Sequence, residues 1–297
     1  MKFNYYNDLL KYLKEKNKDN FISLEEIYDG GSSYNFYLRT TENDYFLKVL
    51  EASAQKRITK MMSVLALFYT PEQLNLDEFT VHKTAYNIIS MPYIEGHKLT
   101  GKQFTASQFI ELINIYQRLQ TLSIPKEYIY EPLNIIQIKN DIENILSTSQ
   151  NVTYKIINYL FWRKFSKQII SLPPTQQIIH GDFTMKNILT DKFNHLHLID
   201  FELLRRGYVT EDWATLLLQL SGFSKMWGNL SYFKKLYEQT QTICSDDKQW
   251  LYGVQIYYIE RLRRRLTDKR KKSKFRKNLC FLCSLMSYFI IAKTIQR

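Results

Sequence analysis

The stretch IIHGDFTMKNIL (residues 178–189), read together with LHLIDFE (196–202), decides how this chain folds. The first places His180, Gly181 and Asp182 at the end of an apolar run, with Asn187 five residues beyond Asp182. The second ends another apolar run in Asp200. Between Asn187 and Asp200 the chain reads NILT-DKFN-HLHLID, two short strands around a polar turn, which is a β-hairpin signal. With the turn centred between Phe193 and Asn194, facing residue numbers sum to 387 and Asn187 stands opposite Asp200. Directly opposed residues have Cβ atoms about 5 Å apart, so this pair can share one hard cation. Mg²⁺ suits such a pair, because it takes few protein oxygens and completes its shell with water and phosphate. Asp182, in the loop before the hairpin, would project into the same space and accept a proton from a hydroxyl attacking that phosphate. Taken singly, Asp182 and Asn187 would be turn residues and Asp200 a strand-end cap. Their joint spacing favours chemistry.

Outward from the hairpin the chain divides in character. FISLEEIY (21–28), YNFYLRT (34–40) and YFLKVL (45–50) are aromatic and β-branched runs separated by DGGSS (29–33) and TEND (41–44), a pattern that predicts an antiparallel meander. A helix is expected from about Ala52 to Phe68, stopped before Pro71, and two more strands around FTVHKTA and YNIISMPYI complete a small sheet. After Gly96 the periodicity turns helical. Thr105-x-x-Gln108 is a capping box for a helix to about Leu122. Further helical segments are expected at 133–149, 152–172, 209–221, 231–243, 246–267 and 275–295. The expectation is a β-rich part, residues 1–95, joined to a larger helical part, residues 96–297, that carries the opening motif.

Composition narrows the class. A 45% hydrophobic, 24% charged chain of 297 residues is that of a globular protein with a real core. Cys244, Cys280 and Cys283 are too few for a disulfide framework, and the pair Cys280–Cys283 lacks the roughly four ligands of a zinc site. His195 and His197 alternate onto one strand face but have no third ligand, so packing or hydrogen bonding is expected of them. The first twenty residues contain no apolar leader, and CFLCSLMSYFIIA (280–292) is too short and polar to span a bilayer. A core helix and a cytoplasmic protein are expected.

His180-Gly181-Asp182-x₄-Asn187 with Ile199-Asp200-Phe201-Glu202 resembles the phosphotransferase family that includes aminoglycoside phosphotransferases, choline kinases and related sugar kinases. The IDFE form is most similar to the choline-kinase-like members, and the resemblance can be followed from about residue 24 to residue 216. It implies an α+β fold of the bilobal protein-kinase type, with a small antiparallel N-lobe and a helical C-lobe. It implies Asp182 as catalytic base and Asn187 and Asp200 as Mg²⁺ ligands, with His180 packed beneath the loop. Asp212 in EDWA resembles the helix aspartate that braces that loop.

On the nucleotide side, Lys48 alone would be a lysine on the solvated face of an edge strand. It follows the Gly30-Gly31-Ser32-Ser33 loop by one hairpin, as the phosphate-pairing lysine does in kinase folds. Gly30 and Gly31 let backbone N–H groups approach phosphate oxygens, and Ser32 or Ser33 adds a hydroxyl. MPYIEG (91–96) resembles the segment that joins the lobes and binds adenine through Met91, Tyr93 and Ile94, Pro92 having no N–H to give. Residues 52–70 contain no acid, so the helix glutamate that pairs with this lysine in kinase folds has no counterpart there. Either Glu72, Gln55 or another group orients Lys48, or the active state differs from that of such kinases.

The acceptor is read from charge. The segment 261–278 holds eleven Lys/Arg and one acid, while the rest of the chain has 30 basic and 28 acidic residues. A solvated helix and loop is one reading of this run. The other is an anionic partner: a membrane surface at the inner face, or an acidic sugar or glycolipid. Nucleic acid is the weaker candidate, since only Phe275 interleaves the charges. The whole then predicts an ATP- and Mg²⁺-dependent kinase acting on a hydroxyl of a small molecule or sugar, on an anionic envelope glycan or lipid in its most specific form. The alternatives are a choline/ethanolamine or aminoglycoside kinase, a Ser/Thr protein kinase and a non-catalytic nucleotide-binding module. Cationic acceptors would meet repulsion from 261–278. A protein kinase is disfavoured because EDWA follows Phe201 within about ten residues, with no activation segment between.

Overall fold

A computed structural model of the chain describes residues 3–27, 33–66, 68–100, 104–121, 124, 126, 129–148, 159, 160, 162–175, 177–224, 228–267 and 274–296. It forms two compact units: Met1–His97 with Thr121–Ile129 and Asp191–Phe193, and Lys98–Gln120 with Tyr130–Thr190 and Asn194–Arg297.

In the first unit the meander is a five-stranded antiparallel sheet in the order β1-β2-β3-β5-β4. Its strands are β1 (Phe21–Ile27), β2 (Tyr34–Thr40), β3 (Asp44–Glu51), β4 (Asn75–Val81) and β5 (Thr84–Pro92). β3 is therefore the middle strand and not an edge, and Lys48 on it pairs with Asn35 and Ile89 and is 7% exposed. Residues 79–85, expected to be strand, include the turn itself. His82 and Lys83 both adopt positive φ (47° and 67°) and close the β4–β5 hairpin. Such two-residue turns require positive φ at both positions, which Asn-Gly ordinarily supplies.

The polar first twenty residues supply α1 (Tyr6–Lys16), whose Leu9 and Leu13, four apart, are buried with Phe3, Phe36, Val49 and Ile88 in the core of this unit. After β3 the chain makes one 3₁₀ turn (Ala52–Ala54) and then α2 (Gln55–Leu65), shorter at both ends than its periodicity suggests. β6 (Gly96–Lys98) follows β5 in sequence.

In the second unit α3 (Ala106–Gln120) begins as its capping box predicts: Gln108 N–H donates to Thr105 Oγ1 (3.2 Å) and Thr105 N–H to Gln108 Oε1 (3.1 Å). α4 (Ile135–Thr148) falls within its expected range, and the segment 152–172 is described only in part, with α5 over 162–166. Two short ladders follow. β7 (Ile178–Ile179) pairs with β10 (Arg205–Arg206), and β8 (Ile188–Asp191) with β9 (Leu196–Leu198). The helices α6 (Val209–Leu220), α7 (Leu230–Thr240), α8 (Asp247–Thr267) and α9 (Lys274–Ile295) complete the unit.

α6 and α8 pack closely because Gly253 has no Cβ, which would collide with Thr210 O. Around them Trp213, Leu217, Trp250, Tyr258 and Tyr288 are fully or almost fully buried. On α9 the positions Leu285, Tyr288, Ile291, Ala292 and Ile295 are buried, as a core helix requires. No helix among the described residues is long and apolar enough to cross a membrane.

The hairpin register differs from the expected one. Ile188 faces Leu198, Leu189 faces His197 and Thr190 faces Leu196, so the turn centres on Phe193 rather than between Phe193 and Asn194. Asn194, at φ 67°, absorbs the odd residue in the left-handed region that Asn tolerates. Asn187 consequently lies across from Ile199, whose N–H donates to Asn187 O (2.9 Å), and Asp200 is one residue further on. His195 lies in the turn, beside Glu111 (3.4 Å), so only His197 belongs to the strand.

Candidate active site

The site in the second unit is built around a buried carboxylate. Asp212 lies in the first turn of α6, where an acid suits the helix dipole. It accepts from Tyr116 Oη (2.8 Å), His180 N–H (2.6 Å) and Gly181 N–H (3.0 Å). Its neighbour Glu211 pairs with Arg205 (2.6 Å) and caps Tyr208 N–H (2.8 Å). Burial pushes both carboxyls above their ordinary values, while Arg205 pulls the other way. It also raises the Tyr116 hydroxyl well above its usual value, with Asp212 beside it adding to the effect.

These bonds fix the loop that starts at His180. The ring of His180 is wholly buried, close to Phe183 and Phe201. Its Nδ1 accepts from Asp182 N–H (3.3 Å), which leaves Nε2 to donate to Ile199 O (3.0 Å). The imidazole thus ties the loop to the end of the hairpin. Gly181 sits at φ 79°, where a side chain is strained and a Cβ would collide with Leu203 O.

Asp182 and Asn187 are joined directly. A 3₁₀ turn (Met185–Asn187) brings Asn187 Nδ2 back to Asp182 O (2.9 Å) and Asp182 Oδ2 (3.0 Å). Lys186 Nζ reaches the same carboxylate oxygen at 2.9 Å. Because Nδ2 is committed to Asp182, Oδ1 is the atom of Asn187 with lone pairs to offer a ligand. Asp200 stands just past β9 in left-handed backbone (φ 66°, ψ 61°), before a 3₁₀ turn, Phe201–Leu203. The Asn187–Ile199 bond at the foot of the hairpin thus sets Asp200 one residue beyond the partner of Asn187, and the two are not a facing pair. One amide oxygen and one carboxylate make an all-oxygen donor set that fits a hard dication retaining most of its water. The described residues hold no cluster of three or more His, Cys, Asp or Glu side chains placed for a metal.

Asp182 and Thr184 open onto a cavity of about 730 Å³ lying wholly within this unit, whose other walls include Tyr257, Glu260, Arg261 and Arg263. Neither Tyr116 nor α8 is flagged by the motif. Tyr116 reaches Asp212 across 96 residues, and α8 reads in sequence as the start of the basic run.

In the first unit, Gly30, Gly31 and Ser32 lie outside the described residues, and Ser33 Oγ donates to Asn35 Oδ1 (3.2 Å). Lys48 is buried in mid-sheet. Glu72 is exposed and takes a hydrogen bond from Thr70, which lowers its carboxyl, and Gln55 opens α2. At the end of β5, Met91 is buried and Tyr93 N–H donates to Asp44 O (2.9 Å). Tyr93 is thus committed to the sheet, and of the two donors expected after Pro92, Ile94 is the one that this bond leaves.

The model describing the phosphotransferase enzyme family matches residues 23–230. Among solved structures, the fold is similar to that of choline kinase LicA from Streptococcus pneumoniae (TM-score 0.55, 14% identity, 94% of this chain and 99% of that one). It is also similar to spectinomycin phosphotransferase APH(9)-Ia, solved with ADP and spectinomycin (0.61, 13%, 96% and 98%). Amicoumacin kinase hAmiN, solved with AMP-PNP and Ca²⁺, is a third (0.56, 12%, 95% and 93%). At these identities the likeness is one of fold. No curated protein matches the chain by sequence.

Proposed function

The chain belongs to the phosphotransferase enzyme family, and from that premise we propose that it moves the γ-phosphate of ATP onto a hydroxyl of a small molecule or sugar. The observation that carries this reading is the Asp182–Asn187 unit, whose Asp182 lines a cavity large enough for an acceptor. Asp182 accepts the hydroxyl proton as the acceptor oxygen bonds to Pγ and the Pγ–O bond to ADP breaks. Asn187 Oδ1 and Asp200 would hold Mg²⁺, which when bound would neutralise charge on the phosphate oxygens. Lys48, with the loop Gly30–Ser33, binds the nucleotide phosphates, and the backbone of Met91 and Ile94 receives the adenine. The nucleotides bound to APH(9)-Ia and hAmiN support ATP as donor. Rate enhancement comes from positioning and charge neutralisation.

The basic run 261–278 supports an anionic envelope glycan or lipid as carrier of the hydroxyl, with the enzyme peripheral at the cytoplasmic membrane face. A choline- or aminoglycoside-type acceptor is the second reading, favoured by the likeness to LicA and APH(9)-Ia. The test is a mass-resolved screen for phosphate transfer from ATP to amino alcohols, aminoglycosides, neutral sugars and acidic sugars. Asp182→Asn is expected to lower turnover about a thousandfold with Mg·ATP binding retained. Equal turnover by the variant would remove Asp182 as base. Nucleotide binding without transfer to any acceptor would favour a binding module.

A further inference from the structure

The charged groups around the Asp182 cavity are unequally paired. Asp182 is bridged by Lys186, Glu131 by Arg206 (3.9 Å) and Arg205 by the buried Glu211. On α8 the balance fails. Glu260, itself little exposed, accepts from Nε and Nη2 of Arg263 (3.2 Å each) and pairs with Arg264 Nε (3.4 Å), so two guanidiniums share one carboxylate. Arg261 has no carboxylate partner among the described residues. Its guanidinium rests on Ser224 O and on Tyr257 Oη (2.7 Å), two neutral oxygens, and lies 5.8 Å from the Tyr257 ring. Its Nε is buried without a hydrogen-bond partner among the described residues.

A half-buried cation held in place by neutral groups, with a donor left over, is costly unless an anion completes it. Arg261, Arg263, Arg264 and Asp182 all line the one cavity. The wall therefore carries a fixed guanidinium and a second cation in surplus, across the same space from the candidate base.

We propose that Arg261, with Arg263 and Arg264, binds an anionic group of the acceptor itself, a phosphate or carboxylate, so that the substrate is an alcohol carrying its own negative charge. The inference rests on the phosphotransferase reading and narrows its acceptor. Glu260 holds Arg263 and Arg264 while the cavity is empty of substrate, and the acceptor's anion takes its place. Guanidinium suits this task because its planar fork meets carboxylate and phosphate oxygens in pairs. The charge run is thus a specificity wall at its N-terminal end, and choline-like cations are poor acceptors.

Calorimetry on the full chain with Mg²⁺ and a non-hydrolysable ATP analogue tests this without requiring turnover. Glycerol 3-phosphate, glucose 6-phosphate and glucuronate are compared with glycerol, glucose and choline. The anionic alcohols are expected to bind at least about tenfold more tightly than their neutral parents. Arg261→Gln should erase most of that ratio, and Glu260→Gln, which releases two guanidiniums, should enlarge it. Anionic alcohols no better than neutral ones, with no binding to phosphatidylglycerol vesicles either, overturn the proposal. So does a Glu260→Gln ratio that is unchanged or reduced, a result available even where Arg261→Gln fails to fold. Binding to phosphatidylglycerol vesicles but to none of the soluble phosphates would assign the anion to a lipid headgroup, and the reverse to a soluble metabolite. Failure of the phosphotransferase reading looks different: native protein and Asp182→Asn would then turn over ATP alike with every acceptor, whatever the binding ratios.

Discussion

The loop 180–187 and the α8 wall face the same cavity and are built on opposite terms. In the loop, the groups that fix Asp182 are paired: Asp212 accepts from the backbone of His180 and Gly181, His180 accepts from Asp182 N–H, and Asn187 donates to the Asp182 carboxylate, while the buried Thr184 hydroxyl has no partner among the described residues. On the wall, three guanidiniums have one carboxylate and a buried Nε has no partner, among the described residues. A loop whose backbone is tied down holds one geometry whatever enters, whereas an under-paired group of cations is completed by its ligand. On the reading proposed above, chemistry rests on the first and selection on the second, which suits a family whose solved members are named for different acceptors.

The loop's side of this contrast breaks most severely at Asp212. Asp212→Ala leaves the Tyr116 hydroxyl and two backbone N–H groups buried without an acceptor. The expected cost is roughly 3–5 kcal/mol of stability, as for removing one member of a buried charged network. The loop loses its alignment with it, so turnover should fall about a hundredfold or more in whatever protein remains folded. Denaturant unfolding and steady-state kinetics measure the two. Full turnover in a destabilised protein would show that the loop holds its geometry without this brace.

Gly181→Ala presses on the same loop from the other side. Alanine at φ 79° is strained, and its Cβ meets Leu203 O, a backbone atom that cannot swing aside. A loss of roughly 2–4 kcal/mol is expected, with reduced turnover because Asp182 is the next residue. A melting temperature equal to the parent's would mean that Leu203, which also lines the cavity, gives way easily.

What could be read in advance follows the range of the forces involved. The strand-turn-strand punctuation and the Asp182, Asn187 and Asp200 spacing are local, and the α+β fold was legible from them. The hairpin register was legible only to one residue, because Asn194 takes a positive φ that a sequence permits without announcing. The His82-Lys83 turn escaped for a similar reason, since neither residue is a usual left-handed one. The Tyr116–Asp212 bond and the seat of Arg261 on Ser224 join segments far apart in the chain, and nothing local encodes them. Eleven charges in one run could be read as a solvated surface or as a site for an anionic partner, without showing where any of them lies in the fold. The packing of α8 on α6 is what carries the first of them to the cavity.

The finest test separates burial from hydrogen bonding within the brace itself. Burial pushes the Asp212 carboxyl above the ordinary range, against the pull of Arg205 and of the donor Tyr116. The folded chain then holds that proton more tightly than the unfolded chain does. Asp212 therefore contributes stability that is fully present below the ordinary carboxylate value near 4 and is lost as pH rises through the raised value. The amide of Asp212→Asn cannot titrate, and Glu211, also raised by burial, is present in both proteins. The stability gap between parent and variant should thus be widest in acid and narrow toward neutral pH, at a slope of no more than about 1.4 kcal/mol per pH unit. A salt-bridged surface carboxylate would do the reverse. Urea midpoints from about pH 4.5 to 7.5 decide between them. A gap that widens with pH would mean that the three donors outweigh burial, and that the brace is strongest when charged.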